Sequence, residues 1–257
     1  MTLTVERAGA LTTVQDRGRT GLAHLGVPRA GPLDRPAAEL ANRLVGNGPE
    51  AALLEVTWGG LELTTDTGLW VAVTGAAAPL DVGGADRGRD RAEWLPEGGR
   101  LRLGPPARGV RSYVAVAGGI EVAPVLGSRS TDTLAWVGPP RVEDSATLPV
   151  GASSGPPAAL DTPRPPVPGP LRLLAGPRAD WFADDALERL CAAPYVVTED
   201  ANRIGLRLDG DPPERVRDDE LPSEGMVLGA VQVPPGGQPV VFLADHPPTG
   251  GYPVLAV

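Results

Sequence analysis

Apolar residues along this chain come in short runs broken by glycine and proline, and few of them repeat at helical spacing. Residues 69–74, 113–117 and 240–244 are continuous apolar runs of strand length, the pattern of a strand buried on both faces. With 34 glycines and 30 prolines between such runs, the pattern predicts a mostly β fold with a few helices. One helix is marked in full. Asp34 can cap it, Pro36 sits in its first turn, and Ala37, Leu40, Ala41 and Leu44 form an i, i+3, i+4, i+7 stripe before Gly46 offers a left-handed stop. A second helix is expected over 179–191, with Trp181, Leu187 and Leu190 on its apolar side. The proline-rich stretch 156–170 reads as a linker between an N-terminal domain, 1–155, and a smaller C-terminal β domain, 171–257, that shares the active cleft.

The C-terminal region reads as a hairpin with a polar mouth. Residues 226–233 alternate like a strand, Pro234-Pro235-Gly236-Gly237 is a turn, and 240–244 returns. A turn centred between Pro235 and Gly236 sets Gly225 opposite His246 and Met226 opposite Asp245, which clusters Glu224, Asp245 and His246 at the open end. A carboxylate beside an imidazole suits proton transfer near neutral pH; alternatively the two carboxylates satisfy backbone amides at loop starts. Thr249, Gly250, Gly251 and Tyr252 follow at once. The paired glycines let backbone N–H groups approach an anion, and Tyr252 either walls a pocket or plugs the core. Gln232 is either a ligand-binding amide or a structural one.

Composition narrows the chemistry. The chain has 257 residues and a net charge of −9 without long acidic blocks, which argues against nucleic acid and anionic membranes as partners. All 23 basic residues are arginine. A Schiff-base lysine, a P-loop lysine and an attached biotin are therefore excluded within this sequence. The single cysteine, Cys191, rules out an internal disulfide and reads as core filler on the second helix. There is no metal-ligating motif, and no signature of a self-contained ATPase, esterase or dinucleotide site. No signal peptide opens the sequence and no apolar stretch reaches the roughly 18 residues a membrane span needs, so a soluble, cytoplasmic protein is expected.

Two further polar blocks lie upstream. Gln15-Asp16-Arg17 ends a strand-like segment at Gly18, reading as site residues or as a loop ion pair. Ser128-Arg129-Ser130-Thr131-Asp132 supplies hydroxyls and a guanidinium suited to a carboxylate or phosphate, or a turn motif. His24, between Leu22 and Leu25, reads as a core or surface histidine.

These blocks also carry a family resemblance. The run from Ser223 to Pro253 resembles the C-terminal signature of the bacterial PxpC/KipA family, which comprises the third subunit of 5-oxoprolinase, "allophanate hydrolase subunit 2" proteins and part of the urea carboxylase carboxyltransferase domain. Thr13-Val14-Gln15-Asp16-Arg17-Gly18-Arg19, Gly26-Val27-Pro28, Ala41-Asn42, Leu44-Val45-Gly46-Asn47, Ala117-Gly118-Gly119-Ile120, residues 126–132 and Asn202-Arg203-Ile204-Gly205 resemble other family blocks, in family order. The resemblance implies a cyclophilin-like β-barrel architecture. It implies a subunit of an ATP-dependent 5-oxoprolinase-like amidohydrolase that converts 5-oxoproline to glutamate through carbonyl phosphorylation. Asp245, His246 and Glu224 would then be catalytic. Gln15, Asp16, Arg17, Ser128, Arg129, Asp132, Gln232, Thr249, Gly250, Gly251 and Tyr252 would bind substrate, with no metal site of the chain's own. ATP with Mg would be the cofactor, shared with a partner subunit, and the partners would be a homologous PxpB/KipI-like subunit and a PxpA-like subunit. Two alternatives stay open: a carboxyltransferase component acting on urea or a related amide with biotin carried by another protein, and a non-enzymatic regulator binding a kinase-inhibitor partner. The chain departs from the family pattern at 136–142, where a glycine-rich stretch is replaced by Trp136-Val137-Gly138-Pro139-Pro140-Arg141-Val142. Members also commonly run on beyond Gly-Gly-Tyr-Pro, so closing strands are expected to be missing or replaced after Val257.

Overall fold

A computed structural model describes residues 1–153, 155, 157 and 169–257; the linker expected at 156–170 lies largely outside them. The described residues fall into two units. One takes residues 1–19 and 30–131 and the chain from Trp136 into the proline-rich segment. The other takes residues 20–29 and 132–135 and the chain beyond that segment.

In the first unit the continuous apolar runs are strands covered on both faces. A six-stranded sheet runs in the order Thr147–Pro149, Thr2–Ala8, Leu61–Thr65, Arg100–Leu103, Leu80–Val82, Ala85–Arg87. A five-stranded sheet runs Leu11–Gln15, Leu53–Thr57, Arg108–Val116, Leu69–Ala77, Ala92–Leu95. Side chains alternate across a strand. Val71, Val73, Val114 and Val116 therefore join Leu3, Val5, Leu61 and Leu63 in one core between the sheets. Ala72, Tyr113, Ala115 and Ala117 point the other way and meet helix α1 (Arg35–Leu44). Burying each such valine or leucine is worth about 1.5–3 kcal/mol, which fixes the register of these strands.

Helix α1 starts as its sequence dictates. The Asp34 carboxylate accepts the Ala37 N–H at 3.0 Å, and Gly46 has φ +77°. Its buried face is Ala38, Ala41 and Leu44, and the alanines let it lie close on the sheet. Below its N-terminus the Tyr113 hydroxyl accepts the Asp34 N–H at 2.7 Å, and Glu55 accepts the Leu33 N–H at 2.9 Å. Burial pushes the Tyr113 phenol well above its ordinary pKa, with Glu55 adding to the rise.

The second unit is built on a five-stranded sheet in the order Val196–Val197, Gly205–Asp209, Val240–Phe242, Val231–Gln232, Val254–Ala256, with Trp181, Phe182, Leu190, Val231, Val233 and Leu255 in its core. A two-stranded ladder joins Glu224–Gly225 to Thr249–Gly250. The expected second helix divides into a 3-10 turn at Ala179–Trp181 and helix α2 (Ala186–Ala192), because Phe182 is extended between them. Helix α2 turns Ala186 and Leu190 inward, which leaves Cys191 on the exposed side rather than in the core. His24 is exposed in a 3-10 turn.

The fold is mostly β with two α-helices. No closed barrel is traced among the described residues; the first unit instead has two sheets around a shared core. Among the described residues no helix is long and apolar enough to cross a membrane.

Candidate functional site

The polar residues singled out in the sequence form two clusters, one in each unit. In the first unit, Asp16 follows the strand Leu11–Gln15 and sits within a cradle of donors. Its Oδ1 accepts Ser128 Oγ at 2.5 Å, Ser130 Oγ at 2.7 Å and the Gly18 N–H at 2.9 Å, while Oδ2 accepts the Arg129 N–H at 2.5 Å. Burial on its own would raise the Asp16 pKa. The bonds from Ser128, Arg129, Ser130 and Gly18 outweigh it and hold the carboxyl below the usual carboxylate range. Asp16 thus acts as the clamp on the 128–130 turn. The Arg129 side chain donates to Val122 O at 2.8 Å and to Glu121 at 2.7 Å, and Arg17 pairs with Glu50 at 3.0 Å. Both guanidiniums expected to meet an anionic ligand are therefore engaged with neighbours.

Two residues outside the expected set complete this cluster. Arg19 is buried and donates through Nη2 to Ser130 O at 2.5 Å. Gly138 has φ +115°, and a Cβ there would lie 2.2 Å from the same carbonyl. The loop that departs from the glycine-rich pattern thus keeps glycine where the backbone passes closest.

Gln15 is fully buried. Its Nε2 donates to Thr131 O at 2.9 Å and to Thr13 Oγ1 at 3.0 Å. Its Oε1 is a buried oxygen without a hydrogen-bond partner, a state that costs about 1–3 kcal/mol. Gln15 helps line a narrow cleft of about 250 Å³ with Arg17, Arg35, Asn42, Ala51 and Leu53, whose interior in this side-chain arrangement suits about one water.

In the second unit the hairpin register differs from the sequence expectation by one residue. Val231 pairs with Val241 and Gln232 with Val240. The ladder then breaks at a turn, where Gly229 (φ +87°) donates to Phe242 O and Ala230 to Val227 O. The strand resumes with Glu224 opposite Gly250. The convergence of Glu224, Asp245 and His246 is not formed: among the described residues no hydrogen bond or ion pair joins the three, and each has a different partner.

Asp245 is the centre of a buried pair. Arg203 donates from Nε to Oδ2 and from Nη2 to Oδ1, both at 2.9 Å, and the two side chains are 1% and 0% exposed. Thr133 adds its N–H and its hydroxyl to Oδ2, each at 2.8 Å. A carboxylate has about four acceptor positions, and here it accepts four bonds from protein groups. Glu224 instead pairs bidentately with Arg178, and those bonds depress its pKa while raising that of Arg178. His246 is half-buried, with Nδ1 2.9 Å from Pro247 O and its ring tilted against Phe242. A carbonyl only accepts, so Nδ1 carries the proton there, and the neutral ring presents Nε2 as an acceptor.

The remaining expected residues have structural contacts. Gln232 is buried and donates to Tyr252 O at 3.0 Å. Gly250 is required at its position because a Cβ would meet Gln232 Nε2 at 2.7 Å. Thr249 and Tyr252 are exposed, and Gly251 lies beside them in the same loop. Asp132 is buried and accepts the N–H groups of Leu134 and Ala135 at 3.0 and 2.9 Å. Arg203 and Thr133 are the residues that sequence reasoning left out. Arg203 stood in a recognised block, but nothing in a sequence separates an arginine destined for the interior from the other 22. Among the described residues no group of three or more His, Cys, Asp or Glu is placed to hold a metal ion.

Two β-rich units with these fixed polar clusters define a carboxyltransferase-type domain. Residues 25–257 match the family described as "carboxyltransferase domain, subdomain A and B", and the chain belongs to that family. It is 40% identical to the C-type subunit of 5-oxoprolinase from Escherichia coli (strain K12), across 99% of this chain and 83% of that protein. It is 32% identical to urea amidolyase of Lachancea kluyveri, across 98% of this chain but 15% of the larger enzyme. Among solved structures, TTHA0988 is similar at 42% identity and TM-score 0.88, and K. lactis urea amidolyase at 29% and 0.91. The chain spans about half of the TTHA0988 chain and about a sixth of that urea amidolyase (51% and 17%). The relatives named are subunits or parts of enzymes.

Proposed function

We propose that this chain is a subunit of a cytoplasmic, ATP-dependent 5-oxoprolinase-like amidohydrolase, which opens 5-oxoproline to glutamate together with partner subunits. The observation that carries this reading is the 40% identity to the Escherichia coli 5-oxoprolinase subunit over nearly the whole of this chain and most of that protein. Opening an unstrained lactam requires that its carbonyl be activated, and phosphoryl transfer to the lactam oxygen supplies that activation before water attacks.

The named arginines do not make a triphosphate cradle of their own. Arg17, Arg129, Arg178 and Arg203 each pair with a carboxylate, and no metal-holding carboxylate group is formed among the described residues. No step is therefore routed through nucleotide on this chain, and the proposal places ATP and Mg with the partner subunits. For the chain itself, Asp245 becomes a positioning residue, with its carboxylate held by Arg203 and Thr133 at the start of the 245–252 loop. His246, tied only through Nδ1, is the proton-handling candidate, and Nε2 is the atom that takes the proton. In a reconstituted complex, a folded His246→Ala variant should lose about 10²–10⁴ in kcat. Unchanged turnover would remove His246 from the chemistry.

A carboxyltransferase role toward urea or a related amide is favoured by one observation, the match to urea amidolyase along 98% of this chain. With no lysine in the sequence, biotin would arrive on another protein. A biotin-dependent, ATP-independent exchange of carboxyl onto urea, measured with a separate biotinylated carrier, is the test of that reading.

A further inference from the structure

We propose that the Gln15 cleft of the first unit binds a cyclic amide bearing a carboxylate, with the lactam N–H donated to Gln15 Oε1 and the carboxylate met by Arg17 and Arg35. This inference rests on the 5-oxoprolinase reading and gives it a substrate-binding site.

The argument starts from which polar groups in the cleft are still available. Nε2 of Gln15 is fixed by Thr131 O at 2.9 Å. Exchanging the amide's oxygen and nitrogen would set two acceptors face to face, so the atom left without a partner is the oxygen. It can only accept. Asn42 is already committed, donating to Ala51 O at 2.8 Å and accepting from Asn47 at 3.1 Å. The oxygens of Asp16 are taken by the 128–130 turn and Gly18. The remaining capacity is therefore one buried acceptor and two cations. Arg17 pairs with Glu50 and Arg35 with Glu39, and all four side chains are substantially exposed. Exposed ion pairs of this kind are weak, and each guanidinium has five donors. The arginines can swing to widen the cleft and still offer a fork to a carboxylate. Leu53 and Ala51 supply apolar wall for ring methylenes. A cyclic amide acid presents these features in the matching places: an N–H donor, an apolar edge and a carboxylate. A lone water would also satisfy Oε1, and the experiment separates the two.

Binding of 5-oxoproline to the full chain is measured by calorimetry or ligand-observed NMR, beside its lactone isostere, 5-oxotetrahydrofuran-2-carboxylate, which replaces N–H by oxygen. The expected result is at least about a tenfold preference for the lactam, lost in Gln15→Met. Arg17→Gln and Arg35→Gln, at exposed positions where folding is not at stake, should weaken both ligands alike. Equal binding of lactam and lactone, no binding of either at millimolar concentration, or unchanged affinity in the arginine variants would each overturn the proposal, and the last two fit a cleft that holds water only. The subunit reading is judged separately. If the reconstituted complex makes glutamate while Gln15→Met leaves its KM and lactam preference unchanged, the cleft assignment falls and the subunit stands. If the chain binds lactam with the stated preference and the complex makes no glutamate, the outcome is reversed.

Discussion

Removing one partner of the Arg203–Asp245 pair should cost the second unit a large part of its stability. The two side chains are 1% and 0% exposed, and the pair is bidentate with both contacts at 2.9 Å. Truncating either member strands a charge away from water, which costs about 3–5 kcal/mol. For Asp245→Ala the loss falls at the top of that range, since the Thr133 N–H and hydroxyl are orphaned as well. Asp245→Asn keeps the shape and should cost less. Thr133→Ala removes one bond to a charged acceptor and should cost about 1.5–3 kcal/mol. Arg203→Met combined with Asp245→Leu should be less harmful than the sum of the single changes, with a coupling energy of about 2 kcal/mol or more. Urea denaturation monitored by hydrogen exchange at 203–209 and 240–246 reports on this unit separately, which matters because a two-unit chain need not unfold in one step. If Asp245→Ala loses less than about 1 kcal/mol yet abolishes activity in the complex, the residue is chemical rather than positional and the reasoning fails.

Asp16 should make the first unit sensitive to acid. Its folded-state pKa lies below its ordinary value of 3.8, so its stabilisation is fully present above that value and is lost as pH falls through the lower folded one. The urea midpoint of the wild type should therefore drop more steeply below pH 3.8 than that of Asp16→Asn; parallel curves would refute the clamp. Gly138→Ala must place a Cβ against Ser130 O at φ +115°, and it should destabilise by at least about 1–3 kcal/mol; a neutral result by thermal denaturation would show that the loop relaxes freely. Asp34→Ala removes the cap on helix α1 and should cost about 1 kcal/mol, with Asp34→Ser recovering most of it in the same assay. Cys191 is exposed, so a thiol reagent should label it in the folded chain; protection until unfolding would contradict its placement on helix α2.

Much of the fold was legible because short-range chemistry and pattern agree. Asp34, Pro36 and Gly46 bracket helix α1, and the runs at 69–74 and 113–117 are apolar without alternation because one face packs on the other sheet and the other on that helix. The site was harder to read. A hairpin register depends on where the turn and bulge residues put the chain, and Gly229 breaks the ladder between Glu224 and Val231, so a one-residue shift separated three residues that a continuous ladder would have paired. The 128–132 block was identified, but its role was inverted: its hydroxyls and amides hold Asp16 rather than a free ligand. Long-range burial is the part that sequence does not encode locally. Arg203 and Arg19 look like surface arginines in composition and are interior in fact, each recognisable only from the carboxylate or carbonyl that folding brings to it. Cys191 was misplaced for a similar reason, since a seven-residue helix buries only the positions one turn apart.

The central claim is that this chain is needed for ATP-dependent lactam opening. The direct measurement is glutamate release from 5-oxoproline and ATP by the two partner subunits, with and without this chain, scored beside urea carboxylation with a biotinylated carrier. The account predicts glutamate only when this chain is present and ATP is supplied. No glutamate from a folded chain that co-purifies with its partners, or carboxyl transfer to urea in its place, would contradict it.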